Sequence, residues 1–372
     1  MWRNYPFRVF FPLSCLGAWI SVLPWLTLWL TPQHAHHFPL HFHAFAFINL
    51  CSGAAFIGFL FTALPSWTKS PHAPVLSLPI HSQTLLALWI GLLFSMPYPT
   101  LAKWLAVLMW GYLSALVIYW TIYTQKPKLL SFGVLLLMIW GLSLRYVSMP
   151  TGVVLHQMVD VMLMGVGMVN FRIGNVVGNE AIKPRGRDFR FVPNLHYKNI
   201  ATLVLGLYVL VSALGADSSI TGWLALAVAS AFMARIHDWH SLWLLNEPYT
   251  RINYAVALVL ALGYFGVGMA LLFYPTWYSP ARHLLAISAM LLMILTTMSI
   301  AGMRHSGLDL KFSRDTRLAL GLVLLAGLVR SFGFYHLQSA LMLYILPSFM
   351  LFIAFALYTV RYLHIFHYNA PR

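Results

Sequence analysis

Residues 251–274 read RINYAVALVLALGYFGVGMALLFY, and after Arg251 no charged side chain occurs before the turn at Tyr274-Pro275. A helix crossing the hydrocarbon core of a bilayer needs about 20 mostly apolar residues, and this run meets that requirement alone. Comparable runs occupy 7–31, 42–65, 80–97, 101–124, 129–148, 152–174, 199–216, 222–245, 282–303, 315–335 and 337–365. The expected fold is all-α, a polytopic transmembrane helical bundle of about 12 spans, forming a single membrane domain over 1–372. The first run is too long for a signal-peptide core, and no small-residue cleavage site follows it. Connections are short and carry turn chemistry, as in Gln125-Lys126-Pro127-Lys128. The exception is 175–198, Gly/Asn-rich and then basic, a cytoplasmic loop that splits the chain into halves of equal helix number. No internal repeat is evident.

Composition excludes a soluble fold. Of 372 residues 60% are hydrophobic and 8% charged, where soluble domains are about a quarter charged. The formal net charge of +15 suggests nucleic acid, but its cations lie in loops between apolar runs, the bias of a membrane protein toward positive cytoplasmic loops. With the N-terminus inside, four of the 23 Lys and Arg fall outside (Lys103, Arg145, Arg282 and Arg330), Arg235 falls within a helix, and the rest fall inside. Both termini are therefore expected in the cytoplasm. Cys15 and Cys51 sit within apolar runs, without metal-site spacing.

Histidine carries the chemical signal: 16 residues against 8 carboxylates. Neutral imidazole binds haem iron, copper and zinc. By depth, His41, His43, His156, His283 and His336 sort toward the outer side. Two readings stand: interfacial histidines with wet tips, or a metal or haem site to which several helices contribute. His41 and His43, two apart, point about 200° apart on a helix, so one ion takes both only if that stretch is extended. A haem held by two histidines takes them from different helices, with His283 opposite the pair, and Arg282 and Arg145 pairing with propionates or reaching headgroups instead. His34-Ala35-His36-His37 resembles a surface metal tract that collects copper, or is a solvated loop. Asp160, four residues after His156, shares a helix face with it and orients that imidazole, relays protons, or pairs with a neighbouring polar side chain. In Arg235-Ile236-His237-Asp238-Trp239-His240, Arg235 and Asp238 are spaced to pair. Gly174-Asn175-Val176-Val177-Gly178-Asn179 lacks the following Lys-Ser/Thr and the preceding strand of a phosphate loop.

These residues also resemble a family. Phe7-Arg8-Val9-Phe10-Phe11 resembles the FRxFF opening of the NnrS family. His41-Phe42-His43 and Gly58-Phe59-Leu60-Phe61-Thr62-Ala63-Leu64-Pro65-Ser66-Trp67-Thr68 are similar to its His-x-His and GFLLTAxPNWT elements. Arg235, Asn246-Glu247-Pro248, Leu262-Gly263-Tyr264, Ala281-Arg282-His283 and the stretch from Met298 to His305-Ser306-Gly307 follow in the family's order. Ala44, Ala261, Ile300 and Arg304 stand where the family has an acidic residue, a histidine, an arginine and a glycine, and its GGRxxPFFT element is not recognisable around Gly165 to Gly174. The resemblance implies a haem- and copper-containing protein of the bacterial inner membrane that acts in the response or resistance to nitric oxide and nitrosative stress. It carries over His41, His43, His283 and His305 as ligand positions. Membrane lipids and electron-transfer or respiratory proteins are the partners such a cofactor set implies, with no nucleic acid. The other readings are a solute or metal transporter with a histidine-lined pathway and a metal-free assembly subunit. No residue pattern specifies a reaction.

Overall fold

The computed structural model describes residues 5–31, 33, 38–39, 41–68, 78–126, 129–183, 190–239, 242–336 and 341–368. Among them there are twelve helical rods and no strand. We number them α1 (Phe7–Leu30), α2 (42–68), α3 (Leu78–Ser95), α4 (Pro99–Thr124), α5 (Leu130–Ser148), α6 (Gly152–Ile182), α7 (Leu195–Ala213), α8 (Ser218–Ile236), α9 (Pro248–Leu272), α10 (278–304), α11 (Arg314–His336) and α12 (341–368). Eleven are long and apolar enough to cross a membrane, and the apolar stretch of α3, Pro79–Ser95, is shorter. The expected all-helical, multi-pass architecture is the one found. Hydrocarbon offers the backbone no hydrogen bonds, so each span must satisfy its own. Leu203 and Val360, 73% and 75% exposed, are side chains that a lipid surround accommodates.

Three rods contain π-helical stretches: Phe47–Ser52 in α2, Leu284–Leu291 in α10 and Leu341–Ile345 in α12. Side chains take up carbonyls in the first of them. Ser52 Oγ donates to Phe47 O, and Trp89 Nε1 donates to Leu50 O at 2.9 Å.

Some boundaries differ from expectation. α6 continues through the Gly/Asn segment to Ile182 rather than stopping at 174. Asn179 explains this: its Nδ2 donates to Asn175 O and to Phe191 O, and its Oδ1 accepts from Phe191 N. The extra turns are thereby tied to the chain that returns toward α7, and the ring of Phe191 lies over Gly178, where a Cβ would collide with it. α8 ends at Ile236, not 245, and short 3₁₀ turns at His237–Trp239 and Leu242–Asn246 lead to Pro248 at the first position of α9. α10 begins at Tyr278, so His283 lies inside the helix instead of opening it, and His336 closes α11 instead of opening α12.

The chain forms two compact units. The first comprises Met1–Met158, Met298–Asp309 and Tyr358–Arg372, and the second Val159–Thr297 and Leu310–Leu357. In the first, α1 packs on α2 so closely that a Cβ on Gly17 would overlap the backbone of Leu50 and Cys51. Phe11 lies against Gly58 in the same way. In the second, Gly222 and Gly268 bring α8 and α9 together, with a Gly268 Cβ falling 2.9 Å from Gly222 O, the small-residue packing common between membrane helices.

Candidate functional site

The second unit buries charge. Asp160 on α6 and Arg282 on α10 are 2% and 4% exposed, and Arg282 Nη1 bridges both carboxylate oxygens at 2.7 and 2.9 Å. Tyr264 on α9 donates its hydroxyl to Asp160 Oδ1 at 2.8 Å. Three helices thus meet at one carboxylate. Of the roles open to Asp160, the bonds described are pairings with polar side chains of neighbouring helices, Arg282 and Tyr264. An unpaired carboxylate at this depth would be costly, and a guanidinium with a phenol neutralises and solvates it. The pairing also sets direction: successive helical side chains diverge by about 100°, so clamping Arg282 fixes where His283 points.

A second polar knot lies in the same unit. Arg235 on α8 is 4% exposed; its Nη1 donates to Gly167 O and its Nη2 to Asn170 Oδ1, both at 3.0 Å. Asn170 Nδ2 donates to Asn253 O at 2.8 Å, and Asn253 Nδ2 returns a bond to Asn170 O. The spacing of Arg235 and Asp238 suggested a local pair, but the guanidinium turns inward and Asp238 Oδ1 accepts the Asn194 amide at 2.8 Å before α7. Asn170 and Asn253 were not singled out from sequence, and Tyr264 entered only within the Leu262-Gly263-Tyr264 segment of the family resemblance, without a role. Polar side chains within apolar spans were the only signal for the two asparagines.

The histidines separate into distinct environments. In the first unit, His43 Nδ1 lies 2.7 Å from Ser21 O, with the ring edge-on to Trp25. His41 adopts a left-handed backbone at φ 66° and lines a cavity of about 280 Å³ with Phe45, Met96, Lys103 and Tyr146. Strain of this kind in a bulky residue often marks a functional position. The two histidines face different surroundings, His41 from the left-handed position before the helix and His43 from within it. His156 on α6 and Arg145 in the last turn of α5 are half-buried. The His305 ring lies tilted against Phe7, centroids 5.8 Å apart, and Arg8 beside Phe7 donates to Phe366 O at 2.7 Å. The Phe7-Arg8 pair thus latches α1 to α12 and covers His305. In the second unit, His283 Nδ1 lies 2.8 Å from Ser279 O, one turn back in its own helix. The side chain of His336, together with His34, His36, His37 and His240, lies outside the described residues.

A family model described as NnrS protein matches residues 1–369. The chain belongs to the NnrS family. No curated protein sequence matches it. The segments by which the chain resembled NnrS proteins are packing elements in large part: Phe11 on Gly58, Phe7 on His305, and Tyr264 on Asp160.

Haem and copper were expectations of the resemblance, and the donor sets can be compared with what each group would need. A backbone carbonyl only accepts, so the Nδ1 of His43 and of His283 must carry the proton and leave the lone pair on Nε2. That is the usual state of an iron- or copper-ligating imidazole, with a carbonyl orienting the ring. Either imidazole would therefore have Nε2 as the nitrogen with which to hold a haem iron. Arg282 does not fit a propionate partner, because Asp160 holds it. For copper, no three His, Cys, Asp or Glu come together among the described residues, so a closed cage of these side chains does not fit.

Proposed function

We propose that this NnrS-family protein binds haem and acts in the response or resistance to nitric oxide at a bacterial inner membrane, with both termini in the cytoplasm. The observation that carries the reading is the imidazole of His283, whose Nδ1 is held by Ser279 O and whose backbone neighbour Arg282 is clamped by Asp160. Together these fix both the tautomer and the direction of one candidate ligand within the second unit. Haem iron, when bound, supplies a centre that takes up nitric oxide, an apolar gas that partitions into the bilayer. The protein's part is to orient the imidazole and keep water from its apolar surroundings, which tunes the iron's potential. Copper, in this reading, collects at the His34-Ala35-His36-His37 tract.

The test is an absorption spectrum with pyridine haemochrome and metal analysis, on protein expressed with ample haem and copper. Wild type should show a Soret band. His283→Ala should lose it and sensitise cells to nitric oxide, while His364→Ala in the last turns of α12 should change neither. A Soret band that survives in His283→Ala and disappears in His43→Ala would move the ligand to His43. Colourless, metal-free wild-type protein would overturn the proposal.

A further inference from the structure

We propose that the cavity of the first unit binds the ring of a membrane-dissolved quinone, through hydrogen bonds from His41, Lys103 and Tyr146. The cavity measures about 280 Å³. It lies at one end of the spans, where the starts of α2 and α4 meet the turn after α3 and the end of α5. Two residues that line it, Pro99 and Pro150, are exposed, so it opens to the surface there. Its three polar side chains come from three different helix ends, and none is engaged. Tyr146 is 6% exposed, yet its hydroxyl makes no hydrogen bond among the described residues, whereas a buried phenol usually has a partner. The half-buried Lys103 makes neither a hydrogen bond nor an ion pair among them. His41, held at φ 66°, reaches toward the start of α6, where a Cβ on Gly152 would lie 3.5 Å from its Nε2, an ordinary contact and no bond.

The donor inventory sets the chemistry of the occupant. An ammonium only donates, and a phenol and a neutral imidazole each have one proton to donate. No carboxylate lines the cavity, and the rest of its wall is apolar, Phe42, Phe45 and Met96 included. The matching ligand has an apolar body and accepts hydrogen bonds at more than one edge. A quinone ring does both: its carbonyl oxygens stand at opposite edges, and its faces suit the wall formed by Phe45 and Tyr146, whose rings stack 5.8 Å apart. A fatty-acid carboxylate gathers its donors at one end instead. The volume lies at the lower end of the roughly 300–1,000 Å³ of ligand pockets, which suits a single ring rather than a porphyrin. The site belongs to the first unit and stands whether or not haem binds at His283.

The experiment is equilibrium binding of decylubiquinone to the full chain in phosphatidylcholine nanodiscs, with uptake by empty nanodiscs subtracted. Wild type should bind a single quinone per chain. Lys103→Met with Tyr146→Phe removes two donors and should weaken binding by about tenfold or more. Tyr146→Phe alone should weaken it less. Ala102→Phe fills the cavity, which Ala102 lines, and should abolish binding with all three donors in place. Lys183→Gln, whose side chain pairs with Glu180 far from the cavity in sequence, should leave it unchanged. Folding of each variant is read from its elution and melting in the same sample. No saturable binding by wild type, or wild-type affinity in both the double variant and Ala102→Phe, would overturn the site. Decanoate that displaces the quinone at equal concentration would overturn the quinone assignment in favour of a carboxylate.

Discussion

At the scale of single residues, the second unit depends on Asp160 having its partners. Removing one member of a buried pair leaves the other as an uncompensated charge, at a cost of about 3–5 kcal/mol, whereas replacing both with apolar groups is often neutral. Asp160→Ala should therefore destabilise the protein by about that amount in detergent unfolding, and adding Arg282→Met should restore most of the loss. A double variant no more stable than Asp160→Ala would mean that the pair matters for something other than charge. His305 gives a contrasting case at the end of α10. Burial under Phe7, reinforced by the adjacent Arg304, pushes its pKa below the ordinary histidine value. In the unfolded chain that value is about 6.5. The folded protein thus favours neutral imidazole, and its stability is intact above the unfolded pKa and declines as pH falls through it. Melting temperatures at neutral and mildly acidic pH should converge in His305→Phe relative to wild type. An unchanged pH slope would exclude His305 as the group responsible.

At the scale of helices, close approach replaces the hydrophobic effect as the ordering force, because lipid is as apolar as the helices themselves. Gly17 shows it most directly: a Cβ there would meet the backbone of α2, which cannot rotate away as a side chain can. Gly17→Ala should lower stability by about 1–3 kcal/mol or more, while Gly141→Ala in α5, where a Cβ meets nothing within 4 Å, should leave the melting temperature unchanged or raised. Equal effects at both positions would show that the α1–α2 contact yields more than its geometry suggests. The helices themselves were legible in the sequence because apolar length alone decides a span. The run from 251 to 274 and the observed α9 differ by a few residues at each end. The last turns of α6 were not legible, since Gly174, Asn175, Gly178 and Asn179 look like loop formers and only the contacts of Asn179 and Gly178 with Phe191 make them helical. The site was half legible. Asp160, Arg282 and the histidines stood out as polar residues in apolar runs, but Asp160 pairs across 122 residues of sequence, and helical spacing could offer it only partners on its own helix, such as His156.

At the scale of the whole chain, the placement of charge sets the orientation we propose, and α3 is the helix on which it turns. Twelve crossings return the C-terminus to the side of the N-terminus, and eleven do not. The 18 residues of α3 rise about 27 Å at 1.5 Å each, close to the roughly 30 Å hydrocarbon core, so α3 is able to cross with its flanking residues at the interfaces. If it crosses, the ends of α4 and α6 and the starts of α7, α9 and α11 share the side of the N-terminus, and these carry Lys126, Lys183, Lys198, Arg251, Arg314 and Arg317. The opposite ends carry only Lys103, Arg145, Arg282 and Arg330. If α3 lay along the interface instead, every later helix would reverse, and the dense cations would face outward against the bias that governs short loops. Reporter fusions at the start of α4, at Lys126 and after the last residue separate the two arrangements. A cytoplasmic reporter should be active at Lys126 and at the C-terminus and silent at Tyr98. Activity at Tyr98 with silence at the other two would place α3 outside the hydrocarbon core, leave the chain with an odd number of crossings, and put its C-terminus in the periplasm.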